Sequence, residues 1–316
     1  MTLSSLLLSD DTISDLKKSS LANVNALIIL TTQDMLTSGR YNFTSGGEIH
    51  VINFPMYYHF DPIFDQFNLF VNGSLGYSKF DTDIDWGTEL DDPRFSPDDY
   101  MRYDTIAVRL GGGVRYVSSF DIYFLAGFDF IYSRVKNRYD YNSLASEEEL
   151  KQFLDPAFAN QYSNAYTYEL FWQVGYTPVW AEWKPYIVLS LTYFDTKQEL
   201  TLDELSAFHS TSGGSRLKFG FETPQFFHIF DTGLSTEFYL SGNTFTGDVR
   251  ETLGFDGYGS SAAMLHLYID SKFYGSVDET LYHVPSLLNR IDLMVERVTG
   301  DGLQGYNIGF GAGFNF

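Results

Sequence analysis

No cysteine occurs among the 316 residues. Disulfide frameworks, thiolate metal sites and cysteine nucleophiles are thereby excluded, and the absence suits a chain that crosses an oxidising compartment unfolded. Long apolar runs are missing too. The densest, Ala26 to Leu30, falls far short of the ~20 residues a membrane-spanning helix needs. Positive charge is scarce: 20 Lys and Arg stand against 41 Asp and Glu, a net charge of −21. A phosphate backbone would repel such a chain, so nucleic acid is excluded as a partner. A secretory leader is also not visible, since Met1 to Ser9 carries apolar Leu6 to Leu8 without a basic start or a cleavage site.

What the chain has in quantity is aromatic residues and glycine: 29 Phe, 23 Tyr, 4 Trp and 27 Gly. Aromatics at 18% favour strands over helices. The carboxyl terminus is the most informative stretch. In Gly305 to Phe316, Tyr306, Ile308, Phe310, Ala312, Phe314 and Phe316 alternate with glycine and asparagine. One face of this segment is apolar and the other small or polar, as a half-buried strand requires. As the edge of a soluble sandwich, so apolar a strand would invite aggregation.

The same alternation recurs upstream. Phe67, Leu69, Val71, Leu75 and Tyr77 oppose Asn68, Asn72, Ser74, Gly76 and Ser78; Ile106, Val108, Leu110, Val114 and Tyr116 oppose Ala107, Arg109, Gly111, Gly113 and Arg115. Tyr166 to Tyr176 repeats it. Tyr77, Tyr116, Tyr132, Tyr166, Trp180, Trp183 and Tyr193 sit near strand ends, as in girdles at two membrane interfaces. A chain without apolar helices crosses lipid only as a closed barrel, whose strands show lipid and lumen alternately.

Strands are expected near 47–58, 66–79, 101–116, 121–137, 164–178, 185–198, 213–226, 231–245, 259–272, 287–298 and 303–316. Short connections at 117–120, 179–184 and 227–230 alternate with long polar ones at 80–100, 138–163, 199–212 and 246–258. That is the phase of an outer-membrane barrel whose last strand ends in the periplasm, with 273–286 as an exception. An ascending first strand is needed to make twelve, and Asn25 to Gln33 is the available segment; ten strands with an N-terminal plug is the competing count. Asp11 to Val24 reads as a short helix with Asp11 or Thr12 as cap. The expected fold is all-β, a transmembrane antiparallel up-and-down barrel of about twelve strands over residues 25–316. Residues 1–24 precede it as a segment whose helix lies in or near the pore. On this reading the numbering starts after a removed leader, with Met1 added for expression.

With Asp11–Val24 in the helix position and Gly305–Phe316 as terminal strand, the sequence resembles the translocator barrel of autotransporters, in the solitary form without a passenger. The resemblance covers essentially the full chain and implies twelve strands, an N-terminal helix in the pore and residence in the Gram-negative outer membrane. The partners expected are outer-membrane lipid and lipopolysaccharide, and the barrel-insertion machinery acting on the last strand. The protein is expected to be a monomer.

A lipid-facing charge at mid-depth costs ~2–4 kcal/mol. The phasing therefore turns Arg109, Arg115, Glu169, Lys218, Glu222, Glu237, Asp270, Asp292 and Glu296 to the lumen, as a hydrogen-bonded polar interior. A sharper alternative makes Arg109 and Arg115 an anion-attracting strip in a small-solute pore. Asp81, Asp83 and Asp85 resemble the opening of a calcium loop, although Trp86 stands where such a loop needs glycine; a solvated acidic loop is the default, and no other cofactor is expected. Enzyme activity has little support. Outer-membrane lipases place His and Ser two residues apart on one strand, whereas here His209 is followed by Thr211 at that spacing and Ser212 one residue late. Omptin-like proteases use an acidic pair and an Asp–His pair in the outer loops; Asp81 and Asp83 imitate the first, but an Asp-x-His partner is not evident. His266 is expected inside, as a satisfied interior histidine.

Overall fold

The computed structural model describes residues 38–43, 47–60, 66–89, 91–157, 159–200, 203–229, 232–269 and 290–313. Among the described residues thirteen strands run β1 Ser38–Phe43, β2 Glu48–His59, β3 Phe67–Ile84, β4 Asp99–Val117, β5 Ile122–Asp140, β6 Tyr162–Tyr176 and β7 Lys184–Leu200, followed by β8 Asp203–Glu222, β9 Phe227–Ile229, β10 Thr232–Gly247, β11 Gly257–Ile269, β12 Arg290–Thr299 and β13 Leu303–Gly313. Each long strand pairs antiparallel with its neighbours, β8 pairs with β10, and β13 returns to β1. Twelve strands thus close a ring, and β9 is a three-residue addition beside the start of β10. Closure leaves no open edge, which is what makes a sheet tolerable in lipid.

The first strand differs from the expected segment. Ser38–Phe43 occupies the place beside β13, and Asn25 to Gln33 lies outside the described residues, as does Asp11 to Val24. In β1 the polarity is reversed: Tyr41 and Phe43 are partly buried while Arg40 and Asn42 are exposed. Its partners, Leu303 to Ile308, lie at the outer end of β13. With Arg40 and Asn42 as its exposed positions, β1 lacks the apolar-outward signature that marks the other strands.

Loop lengths differ in one place. The polar stretch 199–212 was expected to be a long outer connection, but β7 and β8 continue through it, pairing Lys197 with His209 and Gln198 with Phe208. Strands that rise beyond the lipid meet water on the outside, so serine, threonine and charged residues are compatible with pairing there. The inner turns are short and locally determined. Ser118 Oγ accepts the amides of Phe120 and Ile122. Trp180 and Trp183 exchange backbone hydrogen bonds of 2.8 and 2.9 Å around Ala181 and Glu182, both at positive φ. That is the two-residue hairpin geometry matched to strand twist.

The two faces of the wall separate cleanly. Leu110, Ile106, Phe54, Phe124, Phe219, Tyr306 and Ile308 are exposed on the outside, between 50% and 69% accessible. Their inward neighbours Asn53, Asn72, Ser74, Ser78, Thr105, Asp129, Ser133 and Thr167 are buried. Burying polar atoms while leaving large apolar side chains out inverts a water-soluble protein. Hydrocarbon is the solvent that makes this arrangement stable.

The outer end of the interior is not polar. Ile49, Val51, Met101, Tyr103, Ile131, Val135 and Tyr139 point inward there and form one apolar core with Trp86, Phe95, Leu150 and Leu154. The last four come from outer connections that carry helices α1 Trp86–Glu89 and α2 Lys151–Ala157. Trp86 Nε1 donates to the Tyr139 hydroxyl at 2.5 Å, and that hydroxyl donates to Asp99 at 3.1 Å. A second cluster joins Phe194, Phe245, Val298 and Leu303 to Val249 of helix α3 Asp248–Leu253. Gly247 turns the chain into α3 at φ 71°. The outer loops thus fold down onto the strand ends instead of standing free in water.

Candidate functional site: the polar lumen

Below the apolar cap the interior holds two charged groups. In the first, Arg109 on β4 faces Asp129 on β5 and Glu169 on β6. Arg109 Nε donates to Asp129 at 2.5 Å, the Glu169 carboxylate stands 3.3 Å from the guanidinium, and Asn72 Nδ2 donates to Asp129 at 3.1 Å. All three ionic side chains are 5% exposed or less. Gly111 makes room for this group, because a Cβ there would land on the Asp129 carboxylate. Desolvated charges are tolerable only when each finds hydrogen-bonding counter-charges, and one cation between two carboxylates meets that condition.

The second group spans β7 to β13. Glu237 accepts from Lys218 at 2.9 Å and from the Tyr186 hydroxyl, and its other oxygen lies 3.1 Å from His266 Nε2. His266 Nδ1 is 2.6 Å from Asp292, which also meets Arg290 Nε at 2.9 Å. Glu222 gathers Ser235 and Tyr268 hydroxyls at 2.7 Å and Lys184 at 3.1 Å. Glu296 accepts from Asn307 at 2.7 Å and from Tyr239 at 3.3 Å. Lys218 also sits 3.9 Å over the Tyr239 ring, a cation–π contact. These bonds tie six strands, β7, β8 and β10 to β13, together through the lumen.

Of the residues phased inward from sequence, Arg109 and Glu169 fall in the first group and Lys218, Glu222, Glu237, Asp292 and Glu296 in the second. Arg115 stacks over Tyr123 at 5.1 Å, and Asp270 lies outside the described residues. Asp129, Arg216 and Arg290 were missed. Asp129 is legible in retrospect, flanked by Phe128 and Phe130 on a strand, and Arg216 alternates with Leu217, Phe219 and Phe221 in the same way. A cavity of about 260 Å³ remains between the groups, lined by Arg109, Glu169, Arg216 and Lys218 among others.

The calcium pattern is not assembled. Asp81 lies on the outside of β3, bonded to Lys79 at 2.7 Å and Arg102 at 2.8 Å. Asp83 is exposed on the same strand. Asp85 starts α1 instead, accepting the Thr88 amide at 2.9 Å and the Thr88 hydroxyl, bonds that hold its carboxyl below the usual range. Among the described residues no three potential ligands converge on one point. The His–Ser arrangement is absent for a geometric reason: an offset of three along a strand puts side chains on opposite faces. His209 is exposed and 2.9 Å from Asp195, whereas Ser212 is buried and accepts the Val249 amide at 3.2 Å. The His209–Asp195 pair was not anticipated, because its members come from different strands.

A closed twelve-strand antiparallel ring with an apolar outside and a charged, hydrogen-bonded inside defines a transmembrane β-barrel. The model of the solitary outer membrane autotransporter beta-barrel domain matches residues 22–274, and the chain belongs to that family. The beta domain of the Bordetella autotransporter BrkA is similar at a TM-score of 0.56 and 11% identity, covering 88% of this chain and 96% of that one. The translocator domain of NalP from Neisseria meningitidis is similar at 0.52 and 8%, covering 96% and 97%. At these identities the likeness concerns the fold. No curated protein sequence matches. The chain is an autotransporter-type barrel of the Gram-negative outer membrane, with the fold of translocator domains.

Proposed function

We propose that this barrel is non-enzymatic and closed at rest, a structural or surface-interacting relative of translocators that conducts no steady solute flux. The observation that carries this reading is the apolar core at the outer mouth, where Trp86, Phe95, Leu150 and Leu154 pack onto Tyr103, Ile131 and Val135. Such a constriction excludes ions by dewetting. In this reading Asp11–Val24 is the occupant of the lumen, with Asp11 and Asp15 available to Arg216 and Lys218 in the cavity wall and Lys17 and Lys18 to lumen carboxylates such as Glu169. The alternating last strand is the part the insertion machinery reads.

Planar-bilayer recording tests the proposal. The full chain should show no steady channel, and removal of residues 1–24 together with truncation of the 141–161 connection should open one. A steady, anion-selective conductance from the full chain would overturn the proposal. It would favour a small-solute pore instead, for which the Arg109, Arg216 and Lys218 lining is the supporting observation. The non-enzymatic part fails if phospholipid or peptide hydrolysis is found and is lost in His209→Ala.

A further inference from the structure

We propose that the outward wall of β4 to β6, just above the lipid belt, binds the phosphate groups of lipopolysaccharide in the outer leaflet. The inference rests on the outer-membrane reading above and names one lipid site on the barrel's outside. Along β5 the outward positions read Phe128, Phe130, Tyr132, Arg134, Lys136 and Arg138. The first three are the hydrocarbon-facing and girdle side chains. The change from aromatic to basic falls at Arg134, one outward position beyond Tyr132, whose hydroxyl donates to Asn164 at 3.0 Å. That is the height of the headgroups.

Strand register gathers more cations at the same level. Lys136 lies across from Asp104 and Tyr162, and Arg138 across from Arg102, while Lys79 on β3 lies across from Asp104. Five cations, Lys79, Arg102, Arg134, Lys136 and Arg138, thus share three adjacent strands of a chain with only 20 in total and a net charge of −21. Asp81 and Asp104, the carboxylates set among these cations, are already engaged, and Asp83 and Asp140 stand one outward position further up. Asp81 takes Lys79 and Arg102, and Asp104 takes Arg138 at 3.4 Å and the Tyr77 hydroxyl at 2.9 Å. On β7, Glu199 pairs with Lys197 and Asp195 with His209.

Arg134 and Lys136 have no carboxylate partner among the described residues. Their charged ends lie 4.6 and 5.4 Å from the ring of exposed Tyr162. The one Tyr162 ring thus brings both charged ends together on the outward face of the wall. A planar guanidinium beside a compact ammonium suits a phosphate monoester, the first as a fork and the second as a point charge. A phosphorylated glycolipid whose acyl chains lie against Phe128 and Phe130 would place its phosphate at this spot.

The test uses the purified full chain in neutral detergent and a titration with bisphosphorylated lipid A. Arg134→Glu/Lys136→Glu should weaken binding about ten-fold or more, since two charge-assisted contacts become repulsive. Dephosphorylated lipid A should bind the unaltered chain as weakly as phosphorylated lipid A binds that variant. Lys197→Glu, on another part of the wall, should change little. Arg134→Gln/Lys136→Gln guards against a folding defect and should fall between the two. Equal affinity for the unaltered chain and the variants, equal affinity for the dephosphorylated lipid, or equally strong binding of phosphatidylglycerol would each overturn the proposal. Heat-modifiable migration of the same samples reports the barrel separately, so failure of the lipid site is distinguishable from failure of the barrel reading.

Discussion

The wall made by β3, β4 and β5 and the seam made by β13, β1 and β2 use the same alternating pattern but are held together very differently. In the wall, β3 pairs with β4 over Phe67 to Ile84 and β4 with β5 over Tyr100 to Val117, eighteen residues in each case. At the seam, β1 contributes six pairs to β13 and four to β2. The wall is also crossed by the buried Arg109–Asp129–Glu169 group, whereas the seam relies on Asn307 and Glu296 beside Gly39. Antiparallel pairing adds stability residue by residue. The ring therefore has a strong sector and a weak one.

The largest effect should come from cutting the strong sector at its buried cation. Arg109→Ala strands Asp129 and Glu169 as uncompensated charges in the lumen, a change worth about 3–5 kcal/mol. Denaturant midpoints of the detergent-folded barrel should fall accordingly, and a shift indistinguishable from that of an exposed Lys→Ala would break the comparison. At the seam, Gly39→Val drives a side chain into the Asn307 carboxamide. Overpacking of that kind costs about 1–3 kcal/mol. Amide exchange should rise in β1 and β13 while β4 and β5 keep their protection; a uniform rise would show that the ring opens as one unit.

The smallest effect lies in the outer connection that caps the wall. Asp92 accepts from Arg94, whose side chain holds its carboxyl below the ordinary value of 3.8. A carboxyl depressed in the folded state contributes stability that is complete above that ordinary value and is lost as pH falls through the depressed one. Asp85 acts in the same direction. In a protein whose sole tryptophan is Trp86, emission should stay unchanged from pH 7 to 5 and shift red only in strong acid. A shift beginning near neutrality would assign the cap to other groups.

What the sequence revealed follows the same division. Where a strand stands in hydrocarbon, one face must be apolar, so the alternation in Phe67–Tyr77, Ile106–Tyr116 and Tyr166–Tyr176 leaves little freedom, and eleven of the twelve strands of the ring could be counted from it. Above the lipid both faces meet polar or mixed surroundings, and the pattern fades. That is why β1 was sought at Asn25–Gln33, and why the upper halves of β7 and β8 read as a loop. The lumen was partly legible for the same reason. Charges at inward positions announce themselves, as at Arg109, Glu169 and Glu296, but their partners depend on register between strands far apart in sequence. The Glu237–His266–Asp292 chain and the Asp195–His209 pair carry no local signal.

The central claim is that the aromatic face of each strand meets acyl chains, and Trp172 measures it directly. It lies outward on β6 and is 48% exposed, whereas Trp86 is buried in the outer cap. A protein keeping Trp172 alone, with Trp86, Trp180 and Trp183 changed to Phe, should be quenched strongly by lipids brominated deep in their chains. A protein keeping Trp86 alone should not be. Equal quenching of the two, or a Trp172 reached instead by aqueous iodide, would contradict the account.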